Sequence, residues 1–113
     1  MKIIDFSTLG PPEAATPPEG SLISGHPQQR IWNAFSDPEG RFHAGRWAST
    51  IGLWRVRYSE RELCHILTGT VRLTDDSGSQ KTYGPGDTFL IDKGFSGTWE
   101  VVEDCSKVYA VYE

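Results

Sequence analysis

The sequence predicts a small all-β domain, a barrel or sandwich, on three observations. Apolar residues fall in short runs, and no segment keeps a helical period over ten or more residues. Turn chemistry separates these runs at short intervals, at Ser36-Asp37-Pro38-Glu39-Gly40, Asp75-Asp76-Ser77-Gly78 and Gly84-Pro85-Gly86-Asp87. The 113 residues suit one domain, and four Trp, four Tyr and five Phe supply large side chains for one core.

Six of the seven prolines lie before residue 39. Proline lacks a backbone donor and resists both helix interiors and central strands. Residues 1–28 therefore read as an extended, proline-rich arm and residues 29–113 as the β-domain. The arm is expected to hold a short edge strand near Met1–Phe6 and few ladder bonds after it. It either wraps its own domain or reaches a second subunit. Strands are expected at Gln29–Phe35 and Arg41–Ser49, followed by Leu53–Tyr58, where Trp54, Val56 and Tyr58 share one face and Arg55 and Arg57 the other. Glu62–Leu67 and Thr70–Thr74 read as strands around a tight turn at Thr68-Gly69. Lys81–Tyr83 and Thr88–Ile91 follow. Thr98–Glu103 and Lys107–Tyr112 close the chain as a pair turning at Asp104.

The net charge of −4 gives no basic face for nucleic acid. No stretch approaches the roughly 20 apolar residues of a spanning helix, and the first residues lack a secretory apolar run, so a soluble cytoplasmic protein is expected. Cys64 and Cys105 are too few for a disulfide scaffold and read as reduced thiols.

Glu62-Leu63-Cys64-His65-Ile66-Leu67-Thr68-Gly69 places six residues between a glutamate and a glycine. This spacing resembles the second half of the first cupin motif. Gly86-Asp87-Thr88-Phe89-Leu90-Ile91-Asp92-Lys93-Gly94 resembles the second cupin motif, with Asp92 in place of its proline. Gly94-Phe95-Ser96-Gly97-Thr98-Trp99, with Gly45-x-Trp47, Glu62-x-Cys64 and Lys107-x-Tyr109, is similar to the ureidoglycine aminohydrolase-like branch of the cupins. The resemblance covers roughly residues 30–113. It implies a jelly-roll β-barrel, a homodimer formed through edge strands and, by analogy, an enzyme of nitrogen or ureide metabolism.

The metal ligands of that superfamily are largely missing. The first histidine pair falls at Arg55 and Arg57, or at Val56 and Tyr58, and the later histidine at Gly97; only Glu62 remains. A guanidinium has no lone pair to give a metal. The sequence thus predicts no metal site and no cofactor, unless Glu62 and Cys64 recruit a histidine from His26, His43 or His65.

The candidate binding residues are Glu62, Arg57, Tyr58, Trp47, Trp54, Cys64 and Trp99. A barrel-facing Glu62 needs a cation, and Arg57 or Arg55 can supply it. That pair either contacts a polar ligand or fixes the barrel mouth. Trp47, Trp54, Tyr58 and Trp99 either line a cavity or fill the core. Cys64 is either a nucleophile or a buried apolar group. Binding of a small polar metabolite is the leading expectation. A metal-dependent ureide enzyme and a structural or regulatory homodimer are the alternatives.

Overall fold

The computed structural model describes all residues, 1–113. Apart from one 3-10 turn at Phe6–Thr8, its regular structure consists of nine strands. They are β1 (Glu13–Ala15), β2 (Leu22–Gly25), β3 (Gln29–Ser36), β4 (Phe42–Ser49), β5 (Gly52–Arg57), β6 (Arg61–Asp75), β7 (Gln80–Tyr83), β8 (Thr88–Ile91) and β9 (Ser96–Tyr112). No helix is long and apolar enough to cross a membrane.

The architecture is a jelly roll built around two long, bent strands. The first half of β6 pairs with Ser106–Tyr112 of β9 on one side and with β8 on the other. Its second half pairs with Gly97–Glu103 of β9 and with β7. Beyond β9, the later half continues into β4, β3 and β1, and the earlier half into β5 and β2. Every pairing is antiparallel. One sheet, in the order β1-β3-β4-β9-β6-β8, therefore turns into a second, β2-β5-β9-β6-β7, through the bends of β6 and β9.

These bends correct two expected turns. Neither Thr68-Gly69 nor Asp104 ends a strand. Each lies at a corner where one strand passes from one sheet to the other, and the register slips there between Ile66 and Val71. Gly69 makes the close corner possible. Its φ is +81°, and a Cβ would collide with the carbonyl oxygen of Asp104. A glycine flanked by threonines looks the same in sequence at a hairpin and at a corner.

Met1–Phe6 forms no strand. The arm instead pairs at Glu13–Ala15 with β3 and at Leu22–Gly25 with β5, so it covers one edge of each sheet. The proline pairs Pro11-Pro12 and Pro17-Pro18 bracket the first of these strands and keep it short. The Asp75–Gly78 hairpin does form. Asp75 Oδ1 accepts from the Ser77 and Ser79 amides at 2.9 and 3.0 Å.

Trp54, Cys64, Ile66, Val71, Leu73, Ile91, Trp99, Val101 and Cys105 form the core between the two sheets. Both cysteines are free and buried.

Candidate functional site

The inward side of the first sheet carries a buried ion pair. On β6, Glu62, Cys64 and Ile66 alternate inward, and on β9 so do Cys105, Lys107 and Tyr109. Lys107 lies opposite Ile66 on one side and Trp47 on the other. Its side chain reaches past Cys64, and Nζ donates to Glu62 Oε2 at 2.8 Å. The Cys64 sulfur is 3.6 Å from the same nitrogen. Nζ also lies 4.3 Å from the Trp99 ring centre and 4.7 Å from that of Trp47. The ammonium is thus held by one carboxylate and two aromatic faces.

Glu62 has both oxygens engaged, since the Tyr58 hydroxyl donates to Oε1 at 2.7 Å. Tyr58 follows β5, and the loop before β9 fixes it. Its amide donates to the Phe95 carbonyl, its carbonyl accepts from the Gly94 amide, and the Phe95 ring packs edge-on against its own.

Glu62 is 7% exposed and Lys107 5%. Burial alone would push the Glu62 carboxyl up. The Lys107 ammonium and the hydrogen bonds from Lys107 and Tyr58 outweigh that and hold it below its ordinary value. Burial pulls the Lys107 ammonium down, and the Glu62 charge more than restores it, so Lys107 sits above its ordinary value. Tyr58 is raised well above its usual range, by burial first and by the Glu62 charge second. Burial pushes the Cys64 thiol up to about 12.

The pair faces a cavity of about 330 Å³. Trp47, Trp54, Val56, Tyr58, Trp99 and Tyr109 wall it, and Gln29, Ile31, Val111 and Pro18 complete the lining. The Tyr109 hydroxyl donates to Asn33 Oδ1 at 2.9 Å. The Trp99 indole N–H is the one buried side-chain polar atom without a partner.

Of the residues expected from sequence, Glu62, Tyr58, Trp47, Trp54 and Trp99 line this one cavity. Cys64 is wholly buried in the core, against Lys107. A thiol pushed so far up is no nucleophile. Arg57 does not line the cavity. It is exposed on the outward face of β5, where strand alternation puts it. Arg55 is exposed too and pairs with Asp76 at 2.9 Å. The cation beside Glu62 is therefore Lys107 and neither arginine. In the sequence Lys107 stands only within the Lys107-x-Tyr109 motif, with no role of its own. The alternation Cys105, Lys107, Tyr109, Val111 held the signal, because it puts a lysine among inward residues.

The residues around Glu62 do not fit a metal ion. Nowhere do three His, Cys, Asp or Glu side chains converge. Beside Glu62 the positive charge is already supplied by an ammonium, which has no lone pair to give. His65 Nδ1 is 2.8 Å from Thr88 Oγ1, and His43 Nδ1 is 2.8 Å from Ser36 Oγ. Neither ring reaches the pair.

Comparison with known proteins points the same way as the strand order. Residues 36–109 match the EutQ-like cupin domain. A protein of unknown function of the DUF861 family from Pseudomonas syringae pv. tomato superposes with a TM-score of 0.83 at 30% identity over 96% of this chain; the chain spans 46% of that protein's length. The Clostridium difficile EutQ protein gives 0.68 at 18% identity, over 76% of this chain and 63% of its own. A predicted oxalate decarboxylase from Thermotoga maritima gives 0.74 at 18% identity, over 97% of each chain. No curated protein matches the sequence.

Proposed function

The chain belongs to the EutQ-like cupin domain family, and from that premise we propose that it binds a small, planar, polar metabolite in the cavity beside Glu62 and Lys107. The observation that carries this reading is the Glu62–Lys107 pair, buried yet facing the cavity. A buried ion pair adds little stability over well-packed apolar side chains, so stability alone is a weak reason to keep one. At a cavity wall it gives a ligand a fixed donor and a fixed acceptor in a dry setting. The walls are aromatic and suit a flat molecule. One donor is in surplus, since Lys107 has three N–H groups and spends one on Glu62 and one on the Cys64 sulfur. A ligand with a carboxylate, amide or urea oxygen matches that surplus.

The test is titration with a panel of small carboxylates, amides and ureides, followed in the indole N–H region of the proton–nitrogen spectrum. The Trp99 signal is expected to shift with a binder. Lys107→Met is expected to weaken that binder about 10- to 100-fold, the scale of a hydrogen bond to a charged group. A binder held equally well by wild type and Lys107→Met would place the ligand elsewhere.

A second reading, hydrolysis of a small ureide in the manner of the ureidoglycine aminohydrolase-like cupins, draws on the segment Gly94–Trp99. That segment buttresses Tyr58 through Phe95 and contributes Trp99 to the cavity. Glu62, held ionised, is the available base. Ammonia release from ureides by wild type and not by Glu62→Gln would favour it.

A further inference from the structure

On the side away from the arm, the two sheets end in β8 and β7, and each of these short strands pairs only with β6. Between β7 and β8 lies a second cavity, of about 290 Å³. Leu73, Ile91 and Phe95 line it, with Tyr83 from β7 and Phe89 from β8. The Tyr83 and Phe89 rings stack, 3.9 Å between centres and 10° between planes, and so join the two free edges. No residue lines both this cavity and the one beside Glu62. Aromatic contacts separate the two. Phe89 packs on Trp99 at 6.3 Å between ring centres, and Phe95 on Tyr58 at 6.2 Å.

We propose that this second cavity binds an aromatic carboxylate, with its ring against Tyr83 and Phe89 and its carboxylate at Lys81. Register places the cation. Lys81 lies opposite Leu73 and Tyr83 opposite Val71, and both partners are core residues. Lys81 therefore shares the inward side of the second sheet with Tyr83. Parity turns it toward the gap between the sheets, as it does Lys107, but here the lysine stays exposed and lines the cavity. It belongs to none of the four ion pairs. The two carboxylates at the cavity are already answered. Asp75 accepts from the Ser77 hydroxyl and from the Ser77 and Ser79 amides. Asp92 accepts from Arg61 Nε at 2.9 Å and from the Lys93 amide at 2.7 Å. The charge left without a partner is positive, and an anion complements it.

The apolar lining sets the rest of the ligand. The volume is near the lower end of the roughly 300–1,000 Å³ of small-molecule sites and suits a single ring. Beside Tyr83 and Phe89 an aromatic ring gains offset or edge contacts that an alkyl chain lacks. An inward lysine on an edge strand also guards that edge against pairing with another chain. Guarding needs no ligand, and Lys81→Met separates the two roles. The second site stands apart from the Glu62–Lys107 cavity and does not depend on what that cavity binds.

The test is titration of the full chain with benzoate to about 10 mM, well above the ~1 mM at which so small a ligand is expected to half-fill the site. The ring-proton signals of Tyr83 and Phe89 are expected to shift. Benzyl alcohol, similar in shape and uncharged, is expected to bind about 5-fold more weakly, the scale of a partly exposed ion pair. Lys81→Met is expected to weaken benzoate by about the same factor and to leave benzyl alcohol unchanged. Lys81 is exposed, so this variant is expected to fold. Lys93→Met, at an exposed lysine outside the cavity, is expected to bind benzoate as wild type does. Three results overturn the proposal: no shift at Tyr83 and Phe89, a shift at Trp99 alone, which puts benzoate in the first cavity, or equal binding of benzoate by wild type and Lys81→Met, which leaves Lys81 as an edge guard.

Discussion

Lys107→Met removes the one cation that touches Glu62 and leaves the carboxylate in place. Methionine keeps most of the lysine volume and its contact with Trp47 and Trp99, so the change is chiefly electrostatic. Glu62 is 7% exposed, and its remaining partner is the Tyr58 hydroxyl. Breaking a buried pair from one side costs about 3–5 kcal/mol. That is a large share of the ~5–15 kcal/mol by which a domain is stable.

The pH dependence supplies the sign. In wild type the folded Glu62 sits below its ordinary 4.5. Its contribution is therefore complete above that value and lost as pH falls through the folded pKa. Lys107 sits above its ordinary 10.5, so its contribution holds below that value and is lost as pH rises through its own folded pKa. Between these limits the pair contributes a plateau. Without Lys107, burial is left to push Glu62 up. The folded state then binds the proton more tightly than the unfolded chain, and stability rises as pH falls from 7 toward 5. The assay is urea unfolding of wild type and variant at several pH values in that range. A loss below about 1 kcal/mol, with no rise in the variant's stability toward pH 5, would refute the reasoning. It would mean that water reaches Glu62 freely and that the pair behaves as a surface one. The double variant Glu62→Met/Lys107→Met is expected to recover most of the loss, because replacing both charges leaves none unpaired.

Dialysis against zinc, manganese, iron and nickel, followed by elemental analysis, is expected to leave under about 0.1 equivalents of any of them per chain, because protein sites for such metals use three or more donors. Near-stoichiometric metal would show that Lys107 gives way to a metal ion at Glu62. Ellman's reagent at pH 8 is expected to find no reactive thiol in the folded protein and two in urea, since burial pushes Cys64 up to about 12 and Cys105 to about 11. Fast labelling of one thiol in the native state would contradict the burial of this core.

The fold was legible in the sequence because its signals are local. Alternation placed Trp54, Val56 and Tyr58 on one face and Arg55 and Arg57 on the other, and the structure keeps that parity. The Glu62-to-Gly69 spacing marked a strand that ends one half at a corner. What could not be read locally was how the halves join. Whether Thr68-Gly69 turns back or bends onward depends on Asp104, 35 positions along the chain from Gly69, which approaches it only in the fold. The site shows the same division. Glu62, Tyr58 and the tryptophans announced themselves by type and parity. Lys107 did not, because lysine on a strand ordinarily points to water. The partner of the buried carboxylate is not among the arginines nearest in sequence; it lies three strands on by order and next door by pairing.

The retained glutamate and the lost histidines have one physical explanation. A carboxylate at this depth needs a positive charge beside it. In a metal-binding cupin the ion supplies that charge and the histidines hold the ion. Here β9 supplies it from the neighbouring strand, and the histidines have nothing left to hold. The substitution changes what the site can do. A metal ion offers open coordination positions to a ligand. The ammonium offers hydrogen-bond donors at fixed directions, confined between Trp47 and Trp99, and its raised pKa keeps it protonated and without nucleophilic character at neutral pH. Tyr58, also raised, stays a donor to Glu62. The cavity thus presents one set of protonation states throughout the physiological range. On the reading proposed above, such a site recognises its ligand by charge and hydrogen bonding, with Glu62 as its one ionised acceptor.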